Sequence, residues 1–177
     1  MANKANLGRG FEELILFACQ QYKAQRLAMI EKIHTPWTVI RAGKEIVSAY
    51  PKEKSTVDFA GVIAGGRAIA FEAKSTENKT SFPFKNIGQE QFEYLDDFHY
   101  SGGIAFFLIE FSRHEVVYLV PVQKLKKYWN LYITKIGKSS IDIGTLGEIG
   151  CEVPQGNGIV LDFLKAWKEF EICHDRD

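Results

Sequence analysis

Residues 56–74 read TVDFAGVIAGGRAIAFEAK, and the fold is decided by this stretch. Apolar residues dominate both halves: Val57, Phe59, Val62 and Ile63, then Ala68, Ile69, Ala70 and Phe71. Ala64–Gly65–Gly66 separates them. Glycine enters the positive-φ region of a tight turn without steric cost, so the break reads as a hairpin turn between two strands, 56–63 and 67–74. Three charged residues interrupt the apolar pattern: Asp58, Glu72 and Lys74. Glu72 and Lys74 are two apart on one strand and share a face. A two-residue turn at Gly65–Gly66 predicts pairing that sets Asp58 opposite Ala73. A one-residue bulge at a glycine would then bring Asp58 onto the face of Glu72.

The flanking sequence supplies the rest of the layers. Upstream, Phe11, Leu14, Ile15, Ala18 and Tyr22 recur at helical spacing, predicting an amphipathic helix over 11–27. Trp37–Ile40 and Glu45–Ala49 read as short strands around Ala42–Gly43–Lys44. Residues 75–85 are polar and read as a loop. Phe92, Leu95 and Phe98 predict a helix over 89–98. Ile104–Phe111 is an almost continuous apolar run, the mark of a strand buried on both faces. A hairpin returns over 115–120, a Lys-rich helix follows over 121–129, and Phe163, Leu164 and Trp167 mark a closing helix. Residues 134–158 are Gly-rich and carry no legible pattern. Strands interleaved with helices predict an α/β class: a central mixed β-sheet flanked by helices, in one domain spanning 1–177.

The chain has 177 residues, 46% of them hydrophobic, enough for a sizeable core. Its 22 basic and 22 acidic residues cancel, so no global field draws it to nucleic acid or membrane. The charges are segregated, however: 116–141 hold 5 basic residues and no acidic one, whereas 142–177 hold 3 basic and 8 acidic. That suits a protein with one basic working face. Three cysteines without CxxC spacing exclude a disulfide framework or zinc finger. Without an apolar leader or a membrane-length apolar run, the expected compartment is the cytoplasm.

Asp58, Glu72 and Lys74 carry the chemistry. Paired carboxylates hold a hard divalent cation such as Mg²⁺ through oxygen. Such a cation polarises a scissile phosphate and assists in making hydroxide. A nearby ammonium orients water or stabilises charge developing on phosphoryl oxygens. This is the D…ExK arrangement of restriction-endonuclease-like nucleases. Glu12 or Glu13, early on the first helix, is a candidate third carboxylate, although acids are common there because they complement the helix dipole. Gln91 offers a neutral oxygen ligand or an ordinary exposed helix glutamine. Thr56 shares a strand face with Asp58, or reflects β-propensity alone.

At the level of longer motifs the sequence resembles the RecU-type Holliday junction resolvases, dimeric nucleases of firmicutes and their phages. The resemblance rests on GRGFEE (8–13), Thr35–Pro36, STVDFAGV (55–62), FEAKST (71–76) and NKTSFPFKNI (78–87), with Gln91, Gly102–Gly103–Ile104, Phe106, Tyr118–Leu119–Val120 and Tyr128–Trp129 beyond. It covers roughly residues 8–130. It implies a restriction-endonuclease-like fold and Mg²⁺-dependent cleavage of four-way DNA junctions, with Mn²⁺ as a substitute metal. It also implies paired symmetric nicks by a homodimer, with a recombinase as a further partner and no membrane association. By motif match the metal ligands would be Thr56, Asp58, Glu72 and Gln91, Lys74 the transition-state stabiliser, and Glu12 the first-helix carboxylate. The stretch 37–55 corresponds to a stalk-like β-hairpin that enters the junction in typical relatives. It is shorter here, as expected of a small phage- or prophage-type member.

DNA contacts are expected from Lys79, Thr80, Ser81 and Lys85 on the loop, and from Arg41, Lys44, Lys52 and Lys54 on the short stalk. Lys124, Lys126 and Lys127 form another basic patch. Singly, each is an ordinary surface charge. Together they give salt-sensitive, sequence-independent binding. Two other readings remain: a restriction-like or repair nuclease acting on duplex DNA, and a junction-binding protein whose nuclease site is silent.

Overall fold

The computed structural model describes residues 4–34, 37–51 and 57–174. The elements in order are α1 (Lys4–Ala24), β1 (Ala28–Lys32), β2 (Trp37–Ala42), β3 (Glu45–Pro51), β4 (Phe59–Ile63), β5 (Ala68–Thr76) and β6 (Ser81–Pro83). There follow α2 (Gln89–Tyr100), β7 (Ile104–Phe111), β8 (Val116–Pro121), α3 (Val122–Ile133), β9 (Ser140–Asp142), α4 (Ile143–Ile149), β10 (Cys151–Glu152) and α5 (Phe163–His174). Six strands form one sheet in the order β1-β4-β5-β7-β8-β10, and β2-β3 and β6-β9 form separate two-stranded pairs. Only β5 and β7 run parallel, with α2 as their crossover, and the other neighbours are antiparallel. The expected mixed sheet flanked by helices is therefore present.

Alternation along β5 sorts the core into two layers. Ile69 and Phe71 pack with Phe11, Ile15, Ala18 and Tyr22 of α1 and with Phe163 and Trp167 of α5. Ala70 faces the opposite way, with Phe92 and Leu95 of α2 and Leu125 and Trp129 of α3. β7 feeds both layers, which is why its sequence reads as a continuous apolar run. Tyr22 bolts α1 to α5: its hydroxyl donates to Asp162 Oδ1 at 3.0 Å and accepts from Leu164 N at 3.1 Å.

A ladder of three phenylalanines fixes the register of the central strands. Phe59, Phe71 and Phe106 are mutual partners on β4, β5 and β7, and their rings stack at 5.0 Å between successive centroids. All three are fully buried. A one-residue slip would turn each ring to the other face and carry Asp58 into the α1 layer, so burial of the rings holds Asp58 in place.

The structure corrects four expectations. The hairpin loop has three residues, Ala64–Gly65–Gly66, closed by Ile63 N donating to Arg67 O at 3.0 Å. Gly65 and Gly66 both take positive φ, 98° and 90°. This shifts the predicted pairing by one residue, to Phe59↔Phe71, and no bulge is needed. The first helix ends at Ala24, and Arg26 at φ 58° turns the chain into β1, an edge strand that the sequence reading did not anticipate. The predicted loop over 75–85 is partly ordered: β5 runs on to Thr76 because β7 continues to pair with it, and β6 pairs with β9. Finally, the illegible 134–158 region contains β9, α4 and β10, elements too short to display a period.

Gly61 pays for this tight edge in side-chain volume. A Cβ there would lie 2.0 Å from Met29 O and 2.6 Å from Ile30 Cα, both backbone atoms of β1. Gly61→Ala is expected to push β1 off β4 and to lower stability by about 3 kcal/mol. Urea unfolding measures this, and an unchanged midpoint would show that β1 tolerates the displacement.

Candidate active site

Asp58 precedes β4 by one residue and lies one step beyond the Phe59↔Phe71 pair, opposite Glu72. Reciprocal hydrogen bonds clamp the two: Asp58 N donates to Glu72 Oε2, and Ala73 N donates to Asp58 Oδ2, each at 3.0 Å. Lys74 Nζ donates to Glu72 Oε1 at 2.7 Å and to Gln91 Oε1 at 3.1 Å. Gln91 Nε2 donates to Glu72 Oε1, and Gly88 N donates to Gln91 Oε1 at 3.0 Å. Four residues expected from sequence thus converge on the α2 side of the sheet. The residue leading into β4 supplies one carboxylate, β5 the other with the ammonium, and the first turn of α2 the amide.

The site is electrostatically strained. The Glu72 side chain is 1% exposed and that of Lys74 17%. Burial raises the Glu72 pKa from 4.5 to about 7; the Asp58 carboxyl adds to the rise and Lys74 opposes it. Two crowded carboxylates beside an amide oxygen form a hard-oxygen donor set, and a divalent cation would relieve their repulsion. The residues present therefore fit such a cation.

The other expected site residues are distributed as follows. Glu12 lies on α1, which packs on the opposite face of the sheet, and its carboxylate accepts from Lys32 Nζ at the end of β1. Thr56, Lys52 and Lys54 lie outside the described residues. Arg41 and Lys44 sit at the tip of the β2–β3 hairpin, where Arg41 Nη1 reaches Lys44 O at 3.5 Å. This hairpin springs from the sheet end that carries Asp58, because the chain leaves β1 at Lys32 and returns at Phe59, the partner of Lys32. Lys79, Thr80 and Lys85 are exposed and Ser81 is half-buried, on the segment that leads into α2. That segment is pinned: Thr80 O accepts from Ile143 N at 2.9 Å, and Lys79 O contacts His114 Nε2 at 2.8 Å.

Sequence reading did not identify Gly88 as the donor that holds Gln91, nor Lys32 as the partner of Glu12. A glycine three residues before a glutamine at a helix start carries the signal for the first. The second pairs residues 20 apart and has no local signal.

The family model for Recombination protein U (RecU) matches residues 6–169. A Leuconostoc citreum protein named Holliday junction resolvase RecU is 37% identical over 169 residues, covering 92% of this chain and 80% of the relative. One of the same name from Staphylococcus epidermidis is 38% identical over 162 residues, covering 88% and 77%. Among solved structures, the Archaeoglobus fulgidus Holliday junction resolvase Hjc aligns at a TM-score of 0.48 and 17% identity, over 81% of this chain and 94% of that one.

Proposed function

Since the chain belongs to the RecU family of Holliday junction resolvases, we propose that it nicks four-way DNA junctions at Asp58, Glu72 and Lys74 with Mg²⁺ as cofactor. The observation that carries this reading is the clamp that sets Asp58 against Glu72 with Lys74 bound to Glu72. Asp58 and Glu72 would hold the cation, with the Gln91 oxygen beside them and Mn²⁺ as a substitute. The cation would supply Lewis-acid polarisation of the scissile phosphate. Gln91 keeps Glu72 and Lys74 in place from a helix terminus whose backbone, through Gly88 N, fixes the amide. Lys74 Nζ holds three protons for donation, and with DNA bound it would turn one toward the phosphoryl oxygen that gains charge.

Thr56 and Glu12 complete the proposed set, Glu12 from across the sheet edge. Lys79, Thr80, Ser81 and Lys85 would take phosphates near the cut, and Arg41, Lys44, Lys52 and Lys54 would take them from the hairpin. Val39, Ile40, Ile46, Val47 and Tyr50 of that hairpin are exposed, as befits an arm that meets DNA or a second subunit. A homodimer would place two sites for paired nicks, and a recombinase is a further partner. No helix among the described residues is long and apolar enough to cross a membrane, and the cytoplasm is the proposed place of action.

The test is cleavage of a synthetic four-way junction beside a linear duplex of the same sequence, with Mg²⁺ and with EDTA. Paired, Mg²⁺-dependent nicks confined to the junction are expected. Equal cutting of the duplex would favour the restriction-like reading. Binding without cutting in Mg²⁺ would mean a silent site.

A further inference from the structure

The β6–β9 pair places basic residues together that the sequence keeps far apart. Its register runs Ser81↔Asp142, Phe82↔Ile141 and Pro83↔Ser140, and continues as Phe84 N donates to Ser139 O at 3.0 Å. Lys85 and Lys138 are the sequence neighbours of these two residues, Lys85 within the 3₁₀ turn Phe84–Asn86. Three residues upstream of Lys138, Lys135 takes φ 59° just beyond the end of α3. Its backbone N donates to Tyr132 O at 3.0 Å, and Gly137 N donates to Leu131 O at 2.8 Å, so the loop is presented from a fixed backbone.

Lys85, Lys135 and Lys138 are exposed, and none of them is in an ion pair among the described residues. Asp142 is the one acidic residue in 78–88 and 134–142. It caps α4, accepting from Thr145 N and Thr145 Oγ1 at 2.8 Å each, and Lys138 is a charged neighbour that also favours its ionised form. Of the lysines of α3, Lys126 pairs with Asp96 at 2.7 Å, Lys124 lies 6.0 Å over the Phe170 ring, and Lys127 is exposed without an ion pair among the described residues. The two segments carry four lysines, Lys79, Lys85, Lys135 and Lys138, against that one aspartate, and a polyanion is drawn to such an excess of positive charge. The strap that carries Lys85 runs on through Ile87 and Gly88 to Gln91 in the candidate active site.

We infer that Lys135 and Lys138, beside Lys85, form a phosphate track that holds a DNA arm as it leaves the active site. The inference rests on the DNA-cleaving reading above. The track contacts backbone phosphates and not the scissile group, so it sets affinity and salt dependence and leaves the chemical step alone.

The experiment compares wild type, Lys135→Gln/Lys138→Gln and a distant control, Lys168→Gln on α5. Each is titrated with a fluorescent four-way junction in EDTA, from about 50 to about 200 mM KCl. The double variant should bind on the order of tenfold more weakly, and its plot of log affinity against log salt should be shallower by about 2. The control should match wild type, and single-turnover cutting at saturating junction with Mg²⁺ should be unchanged in all three. Wild-type binding with an unaltered slope in the double variant overturns the track alone. A slower cut at saturation would place these lysines in the chemistry and also overturn it. If wild type shows no salt-dependent junction binding, the DNA reading falls and takes the track with it.

Discussion

Lys74→Ala should bind a four-way junction as wild type does and cut it about 10²–10³-fold more slowly. The Lys74 ammonium bridges Glu72 and Gln91 at 2.7 and 3.1 Å and is the one cation within this hydrogen-bonded cluster. Loss of a positioned donor to developing phosphoryl charge accounts for the magnitude. Binding is retained because phosphate contacts elsewhere supply affinity. Single-turnover rates at saturating junction separate the two effects. A variant that cuts within about threefold of wild type would reduce Lys74 to a structural counter-ion of Glu72.

The second large effect concerns Glu72 and pH. Its pKa is raised from 4.5 to about 7, chiefly by burial, with Asp58 adding to the rise. A raised carboxyl pKa means that the folded state favours the proton. The associated stability is fully present below about pH 4.5 and is lost as pH rises through about 7. Metal-free wild type should therefore lose roughly 3 kcal/mol to this group between pH 4.5 and pH 8. Glu72→Gln cannot ionise and lacks that loss, so the stability difference between the two should shift in favour of the variant as pH rises. Denaturant unfolding at pH 5 and pH 8 in EDTA measures it, and a pH-independent difference would refute it. Mg²⁺ should stabilise wild type more at pH 8 than at pH 5, because binding must displace the proton, and should do far less for the variant. That outcome would mark Glu72 as a residue whose burial gives up stability in the empty fold for the proposed cation site.

Much of the site was legible because its parts are local. Glu72 and Lys74 share a face by the two-residue period of a strand, and Gly65–Gly66 announces the turn that returns Asp58 toward them. Gln91 was legible as a polar residue at a helix start. The exact pairing was not: a two-residue and a three-residue turn around the same glycines differ by one register step, and the Phe59–Phe71–Phe106 stack across three strands chooses between them. The face occupied by Glu12 was likewise not legible, since helical spacing shows which side of α1 is apolar but not which side of the sheet it covers.

The sequence by itself determined the central strands, the longer helices, the carboxylate pair with its lysine and the family, because these depend on periodicity and on contiguous motifs. Tertiary structure decided what depends on distant segments meeting. It buried Glu72 and raised its pKa, bound Glu12 to Lys32, and joined the 81–84 strap to the 139–142 segment through a three-residue strand. Burial and long-range pairing are properties of packing, and a period of two or of 3.6 residues carries no record of them.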